Sequence, residues 1–450
     1  MNNQTITILG AGYVGLTTAA LLAHSGYKIY LIEPNQKRLS VIKTGKSFFY
    51  EQGLDPIIKS AIDDGNLVPT DSYKDSIPNS NVVFSCVGTP DNPDGSSNLT
   101  YVFGAAEEAA KYMKSNTIYI QKSTVPVGTG ERIKEIFSKL KNKIDYVSNP
   151  EFLREGTALY DTLYFDRVVA GNDNKKTVKQ VLDIYRELEK HRDKIAKIAK
   201  IDIKPHQGQY ISTSLNSAEL IKVTSNAFLA LKISFANSIA KLADKVDADI
   251  IEVMDAVGAD KRIGRAFLNA GRGYGGGCFP KDVSGLISSG IQNGVHLDIM
   301  EAAQSLNETM PGYIVEKLQA KIGGNLQGKK VAVLGLSFKA GTSDVRRSPG
   351  VLLANSLDKA RARVTTFDPQ ANGEAAEDLR KSIIQCQSIE DAIKDVDAMI
   401  VATEWPEFLN YSPSKLAKAA KNGKIFVDAI NRFSKADIKN AGLTYIGVGR

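Results

Sequence analysis

Over the first part of the chain, short apolar runs alternate with longer amphipathic stretches. The stretch at 100–113 is typical of a helix that packs one face on a sheet. The apolar runs are rich in Val, Ile and aromatic residues, as expected for buried strands, and lie at residues 6–10, 28–33, 81–88, 117–124 and 144–150. This alternation predicts a parallel sheet wrapped by helices over residues 5 to about 150.

The pattern changes twice further along the chain. Residues from about 208 to 310 follow helical periodicity, and the segment 217–258 predicts a first helix long enough to bridge two domains. Strand-like runs then return at 329–338, 362–369, 397–403 and 424–430. The sequence therefore predicts an α/β protein with two Rossmann-like, doubly wound parallel-sheet domains joined by a central helical domain. The predicted ranges are 1–207, 208–312 and 313–450.

Composition narrows the class of protein. With 450 residues, 43% hydrophobic and 24% charged, the chain predicts a soluble globular protein of two or three domains. Three cysteines cannot form a paired framework, which favours a reducing compartment, so a cytoplasmic location is expected. The apolar run at 6–23 contains a glycine pattern and predicts a strand, a turn and a buried helix, not a targeting or membrane segment.

The net charge of +7 is concentrated in basic runs at 175–180 and 190–204. We interpret these runs as solvated helix faces, because the interleaved aromatic residues of a nucleic-acid site are missing there. No nucleic-acid or membrane partner is expected, and no metal site.

A glycine fingerprint follows the first predicted strand. Gly10, Gly12 and Gly15 form G-x-G-x-x-G at the start of a helix, an arrangement that brings a dinucleotide pyrophosphate to the helix N-terminus. Glu33 ends the next strand, where a carboxylate binds the adenosine ribose and repels a 2′-phosphate, so NAD is favoured over NADP. Arg38 could stack on adenine or meet a phosphate. The alternative is that Glu33 simply ends a strand in solvent.

A second glycine-rich loop, at 271–282, contains Cys278. Pro280 is typical of the first turn of a helix, so Cys278 is expected at a helix start, where the helix dipole favours a thiolate. Asp282 falls in the same turn. The alternative is a small buried cysteine, an interpretation that fits Cys86 and Cys386 well.

Two polar residues lie four positions apart on the predicted long helix. Lys222 and Asn226 therefore share one helix face. Most helical lysines are solvated, but this one has apolar neighbours, so a partly desolvated ammonium that holds an alkoxide or a water is a second possibility.

These pieces together give the chain its resemblance to a family. It resembles the NAD-dependent nucleotide-sugar 6-dehydrogenases of the UDP-glucose/GDP-mannose dehydrogenase family almost end to end. The segments that carry the resemblance are GAGYVG (10–15), CVGTP (86–90), KSTVPVGT (122–129), SNPEFLREG (148–156), ELIKVTSNAFLALKISFAN (219–237), GYGGGCFPKD (273–282) and GLSFKAGTSDVRRSP (335–349).

The resemblance implies a four-electron oxidation of the C6 alcohol of UDP-glucose to UDP-glucuronate, with two NAD and one water, through a cysteine thiohemiacetal and thioester. A UDP-N-acetylhexosamine or GDP-mannose is the alternative substrate. A non-catalytic nucleotide-sugar binding protein and a one-step alcohol dehydrogenase are minor alternatives. A homodimer or larger homo-oligomer, and a place in polysaccharide biosynthesis, are implied by analogy.

Site residues are carried over by matching motif positions. The implied catalytic set is Cys278 as nucleophile, with Lys222, Asn226 and Asp282 for oxyanion and water, Glu151 for thioester hydrolysis, and Thr124 to position water. The implied cofactor contacts are Gly10, Ala11, Gly12, Tyr13, Val14, Gly15, Glu33, Arg38, Thr89, Thr124, Glu155, Lys281 and Arg346. The implied sugar-nucleotide contacts are Glu151, Phe152, Leu153, Arg154, Lys222, Asn226, Arg262, Phe267, Leu268, Asn269, Ala270, Gly271, Gly275 and Lys339, with Arg262 reaching a neighbouring subunit's substrate.

The chain departs from the family pattern in three places. Glu33 stands where aspartate is frequent, and Gln52 where proline is frequent. Ile430 stands where the family has an arginine, and Arg432 is the candidate replacement.

Overall fold

The computed structural model describes residues 4–420 and 424–450. The chain divides into two compact units, one ending at Ser225 and the other beginning at Asn226. Each unit is built around one sheet.

The first unit contains an eight-stranded sheet in the order β3-β2-β1-β4-β5-β6-β7-β8. The strands are β1 (Thr5–Leu9), β2 (Lys28–Ile32), β3 (Leu67–Thr70), β4 (Val82–Ser85), β5 (Ile118–Gln121), β6 (Asp145–Ser148), β7 (Arg167–Gly171) and β8 (Gln209–Thr213). The pairs from β3 to β6 are parallel, β7 is antiparallel to β6, and β8 is parallel to β7.

Alternate residues of these strands enter two different cores, as a sheet covered on both faces requires. Ile6 and Ile8 of β1 belong to one apolar cluster, and Leu9 belongs to another. The helices that cover the sheet are α1 (Tyr13–His24), α2 (Gln36–Lys43), α3 (Leu54–Asp63), α4 (Tyr73–Ser76), α5 (Thr100–Ala110), α6 (Thr129–Ser138), α7 (Ala158–Leu163) and α8 (Lys175–Ala199).

A long helix, α9 (Leu215–Val246), begins in the first unit and continues into the second. It is followed by α10 (Ile250–Gly258), α11 (Phe279–Gln292) and α12 (Asp298–Ile322). This succession confirms the predicted helical centre and its long helix.

The second unit contains a six-stranded parallel sheet in the order β11-β10-β9-β12-β13-β14. Its strands are β9 (Lys330–Leu334), β10 (Arg363–Phe367), β11 (Ile384–Gln385), β12 (Ala398–Val401), β13 (Ile425–Asp428) and β14 (Thr444–Gly447). Its helices are α13 (Pro349–Lys359), α14 (Asn372–Ala375), α15 (Ile389–Ala392), α16 (Pro406–Leu409), α17 (Pro413–Ala419) and α18 (Lys435–Asn440). The predicted class, two Rossmann-like sheets with a helical centre, is confirmed.

Several strands were not predicted from the pattern. β3 is short and contains Pro69, and β8 has mostly exposed or half-buried residues, so neither gives an apolar run. β8 lies inside the range 208–312 that was expected to be helical, yet its backbone pairs with β7 of the first sheet. Across the described residues, no helix combines the length and the apolar character needed to cross a bilayer.

Candidate active site

The glycine turn between β1 and α1 has room for a phosphate at one position. Gly10 has φ +88°, and a Cβ there would lie 2.9 Å from the carbonyl oxygen of Cys86. A Cβ on Gly15 would lie 1.8 Å from the carbonyl oxygen of Gly10. At Gly12, the N-cap of α1, a Cβ would meet nothing within 4 Å among the described residues. Gly10 and Gly15 are therefore required for close packing of the backbone. Gly12 leaves open space at the N-terminus of α1, a position that suits an anion.

Glu33 lies directly beside this turn and not in open solvent. Glu33 is 4% exposed, and its carboxylate accepts hydrogen bonds from the backbone N–H of Ala11 (3.3 Å) and of Asn35 (2.9 Å). A fixed carboxylate next to the pyrophosphate position is what the ribose hydroxyls of NAD require. The residues present therefore fit NAD.

Other predicted cofactor residues surround the turn in the first unit. The Arg38 guanidinium stacks on the ring of Phe48, 4.8 Å from its centroid, and the Tyr13 ring lies 3.9 Å from that of Phe49. Thr89 is half-buried in the loop after β4, which brings it to the same carboxyl edge of the sheet as the turn after β1. Contacts of Arg38 and Thr89 with the cofactor stay predictions.

Glu151 follows β6 and is held from three directions. Its Oε1 accepts the backbone N–H of Phe152 (2.8 Å) and of Leu153 (3.1 Å), and its Oε2 lies 2.5 Å from Nζ of Lys122. Burial pushes the pKa of this carboxyl upward, but the charge and hydrogen bond of Lys122, the Phe152 N–H and the charge of Lys222 together outweigh it, so the pKa lies below its ordinary value. Glu151 is therefore an ionised carboxylate at neutral pH.

Lys222 lies close to the same segment. Its residue is 6% exposed, and its ammonium sits 5.2 Å above the ring of Phe152. Its positive charge also contributes to the low pKa of Glu151. The predicted residues Glu151, Phe152 and Lys222 are thus brought together: the ring of Phe152 lies under the buried cation, and its backbone N–H binds the anion.

The remaining predicted residues of this unit are placed less centrally. The exposed Arg154 donates two side-chain hydrogen bonds to Asp161, at 2.6 and 2.9 Å, so its guanidinium is engaged within its own segment. Glu155 is half-buried beside it, and Thr124 is half-buried in the loop between β5 and α6.

Cys278 is the N-cap of α11, and Pro280 lies in the first turn, as predicted. The thiol is exposed, whereas Cys86 is buried and Cys386 is intermediate. Burial raises the pKa of Cys86 to about 12, which suits an inert packing residue. Cys278 has the exposure and the helix start that favour a reactive thiolate.

Asp282 is buried one turn after the cysteine. Its backbone N–H donates to the carbonyl of Cys278 (2.8 Å), and its carboxylate accepts from Asn226 Nδ2 (2.5 Å) and from Lys281 Nζ (2.6 Å). Cys278, Asp282 and Asn226 are therefore joined through side chains and backbone. Lys281, predicted to contact the cofactor, pairs with Asp282.

Arg346 explains why the residue before the cysteine is glycine. A Cβ on Gly277 would lie 2.3 Å from Cζ of Arg346, so the guanidinium packs directly on the Gly277 backbone. Arg346 also pairs with Asp344 at 2.6 Å. A cation predicted to touch the cofactor thus lies beside the cysteine loop.

The second unit contains a cavity of about 540 Å³. Predicted sugar-nucleotide residues form much of its wall, namely Phe267, Leu268, Asn269, Ala270, Gly271, Gly275 and Lys339. Phe267 has φ +66°, and a Cβ on Gly271 would lie 2.7 Å from the carbonyl of Ala429, so this loop is held tightly against the end of β13. A volume of this size suits a small organic ligand.

The departure at Ile430 falls on this cavity. Ile430 and Arg432 both line it, and Arg432 is exposed. Asn431 between them donates to the carbonyls of Ala270 (3.1 Å) and Val448 (2.8 Å), which fixes the loop. Arg262 lies elsewhere, with an 88% exposed side chain paired to Asp260.

Several buried charged residues were missed by sequence reasoning, among them Lys122, Arg272, Glu51 and Glu219. Lys122 pairs with Glu151, and Arg272 lines the cavity and donates to the Phe338 carbonyl at 2.6 Å. Glu51 accepts the backbone N–H of residues 156 and 158 at 2.7 Å each, and Glu219 accepts those of residues 128 and 130 at 2.8 Å each. Lys122, Arg272 and Glu219 lie within or beside segments that carry the family resemblance, and Glu51 precedes the departure at Gln52, which was the available signal.

Comparison with known proteins identifies the family of the chain. Models of the UDP-glucose/GDP-mannose dehydrogenase family match at residues 4–189 (NAD binding domain), 216–309 (central domain) and 332–435 (UDP binding domain). A UDP-glucose 6-dehydrogenase of Rhizobium meliloti is 37% identical over 453 residues, covering 99% of each chain.

Two solved structures are also similar over the whole chain. A UDP-glucose dehydrogenase from Pyrobaculum islandicum has a TM-score of 0.89 and 34% identity, covering 100% of this chain and 98% of that one. A UDP-D-ManNAc dehydrogenase from Pyrococcus horikoshii has a TM-score of 0.85 and 26% identity, covering 99% of each chain.

Proposed function

The chain belongs to the UDP-glucose/GDP-mannose dehydrogenase family, and from that premise we propose that it oxidises C6 of UDP-glucose to the carboxylate of UDP-glucuronate. Its cofactor is NAD and its substrate is a nucleotide sugar. The proposal for the chemistry is carried by Cys278, an exposed thiol at the start of α11 with the buried Asp282 one turn on.

The reaction needs a nucleophile because an aldehyde has no hydride to give until a group adds to its carbon. Bound NAD would supply the hydride acceptor for both oxidations, and the alcohol would lose its hydroxyl proton along with the first hydride. After the first, the Cys278 sulfur bonds to the aldehyde carbon and forms a thiohemiacetal. Loss of a hydride from carbon and of the proton from the hydroxyl gives a thioester, and water then adds to its carbon and displaces the sulfur, releasing the carboxylate, the thiolate and two protons.

The polar residues divide into two roles. Lys222, buried and cationic, supplies positive charge where the C6 oxygen becomes negative. Asn226 and Asp282 are joined by a 2.5 Å hydrogen bond and are suited to hold the attacking water. Glu151, kept ionised by Lys122, accepts a proton from that water, and Thr124 helps to position it.

The choice of substrate is supported by the residues that line the cavity and by the names of the relatives. UDP-glucose is favoured because relatives at 34–37% identity over the full chain carry the name UDP-glucose 6-dehydrogenase. UDP-N-acetylhexosamine is the second candidate, because the Pyrococcus horikoshii UDP-D-ManNAc dehydrogenase shares the fold. GDP-mannose is the third. A cytoplasmic location stays a prediction.

The nucleophile is tested by Cys278→Ser, with Cys386→Ser as the matched control on a cysteine of the second sheet. We expect Cys278→Ser to lose steady NADH production from UDP-glucose by several orders of magnitude while its far-ultraviolet circular dichroism stays that of the wild type. Cys386→Ser should keep wild-type turnover. Normal turnover of Cys278→Ser would identify a one-step alcohol dehydrogenase with a structural cysteine and refute the thioester route.

A second copy of the chain is the proposed partner. Phe228, Phe235 and Leu242 recur every seven residues on α9 and are 59%, 48% and 57% exposed. Large apolar side chains in one exposed helical stripe are typical of a helix packed on another helix. Phe235→Asp should lower the molar mass measured by light scattering to that of one chain, and an unchanged mass would contradict a dimer through this stripe.

A further inference from the structure

A buried lysine lies behind the carboxylate proposed to activate water. We infer that Lys122 is a positioning residue, which keeps Glu151 ionised and fixed in the orientation needed for thioester hydrolysis. This inference rests on the proposed role of Glu151 and assigns Lys122 no contact with substrate. Lys122 acts through its 2.5 Å ion pair with Glu151.

Lys122 is anchored on the side away from Glu151. It follows β5, is 2% exposed, and donates to the Tyr185 hydroxyl at 2.9 Å. That hydroxyl donates to Oδ1 of Asn149, whose Nδ2 donates to the Val169 carbonyl at 2.6 Å. The ammonium is therefore held by a chain of hydrogen bonds that ends on the backbone of β7.

The arrangement leaves the carboxylate as the accessible end of the network. The Lys122 side chain is 3% exposed and the Glu151 side chain is 16% exposed. A buried lysine costs several kcal/mol of desolvation unless it is paired, and an apolar side chain of similar volume would pack as well. We therefore attribute the presence of a cation at this position to the positive charge that it provides beside the Glu151 carboxylate.

The charge balance around Glu151 points the same way. Among the residues that the structure describes, the titratable groups that interact with it are Lys122 after β5, Lys222 on α9, Tyr185 on α8 and Cys86 after β4. Lys122 is the largest of the favourable influences on the carboxylate, and burial opposes it. Without Lys122, the opposing effect of burial would weigh more, so the pKa of the carboxyl would rise.

The test is the pH dependence of kcat for UDP-glucose oxidation in Lys122→Met and Lys122→Arg. We expect the acidic limb of Lys122→Met to move upward by about 1–3 pH units, with activity recovering at high pH and KM for UDP-glucose changing less than kcat. Lys122→Arg keeps the positive charge, so the acidic limb of its profile should lie close to the wild-type position. An unchanged limb in Lys122→Met would overturn the inference.

The Glu151→Gln background shows whether Lys122 acts through Glu151. If it does, adding Lys122→Met to Glu151→Gln changes kcat less than twofold. An equal loss in both backgrounds would show a structural role and overturn the inference. Lys143→Met, on an exposed lysine before β6, is the surface control and should leave the profile unchanged.

Two further arms keep the outcomes separate. If Lys122→Met does not fold, Tyr185→Phe takes its place, because it removes one hydrogen-bond partner of the ammonium. The acidic limb of its kcat–pH profile should move upward by less than one pH unit. An unmoved limb would overturn the inference. If the wild type forms no NADH from any nucleotide sugar, the proposed function fails. The Lys122–Glu151 coupling is then read from urea unfolding of the two single variants and the double variant, where additive effects would overturn it.

Discussion

Glu219 predicts an unusual dependence of stability on pH. Its carboxylate is 1% exposed and accepts the backbone N–H of Gly128 and of Gly130, so it caps the start of α6 from a position on α9. Burial is the largest influence and raises the pKa of this carboxyl from 4.5 to about 7, against the two backbone hydrogen bonds. The loop that it holds follows Thr124, which ties the group to the candidate active site.

The sign follows from the raised pKa. Between the unfolded value of 4.5 and the folded value of about 7, the folded protein binds the proton more tightly, so the contribution of this group to stability falls as pH rises. The contribution is full below pH 4.5 and is lost above about pH 7. At about 1.36 kcal/mol per unit, the loss is about 3 kcal/mol.

The perturbation is Glu219→Gln, which resembles the protonated carboxyl and cannot ionise. Relative to the wild type, the variant should gain about 3 kcal/mol of unfolding free energy between pH 5 and pH 8. The measurement is urea unfolding followed by far-ultraviolet circular dichroism at several pH values. Glu135→Gln, on an exposed carboxylate of α6, is the control and should show no such trend. A wild-type-minus-variant difference that does not change with pH would refute the reasoning.

Three other predictions test the binding sites. Gly15→Ala should lower the unfolding free energy by about 1–3 kcal/mol, because its Cβ would clash with the Gly10 carbonyl. Gly12→Ala should keep wild-type stability and lose NAD affinity. Equal stability of the two variants in urea unfolding would contradict this prediction. Glu33→Gln should raise the NADP-to-NAD ratio of kcat/KM by on the order of tenfold, because a negative charge beside the 2′-phosphate is removed, and a constant ratio would contradict it. Arg432→Met should raise KM for UDP-glucose by about tenfold without changing KM for NAD, and an unchanged KM would show that Arg432 does not replace the arginine missing at Ile430.

Much of the fold could be predicted because its strands are buried on both faces. β1, β4, β5, β9 and β12 are rich in apolar residues and buried along nearly their whole length, and the G-x-G-x-x-G turn marks where the first helix starts. The basic run in α8 was predicted to be a solvated face, and Lys175, Lys176 and Lys179 are indeed exposed. β8 could not be predicted, because an edge strand with exposed and half-buried side chains has no apolar signal.

The candidate site was predictable where chemistry depends on local spacing. Cys278 and Asp282 lie in one turn of α11, and Pro280 marks that turn. Lys122 and Glu219 were not predicted, because a charged residue in sequence is most simply interpreted as solvated. Their burial depends on partners 29 and 91 positions away along the chain, at Glu151 and at Gly128.

The number of NADH molecules formed per UDP-glucose consumed tests the central claim most directly. The purified protein would be given limiting UDP-glucose with excess NAD, with UDP-N-acetylglucosamine and GDP-mannose run alongside. The account predicts two NADH from each UDP-glucose and little from the other two sugars. One NADH per UDP-glucose would contradict the thioester role of Cys278, and no NADH from UDP-glucose would contradict the substrate.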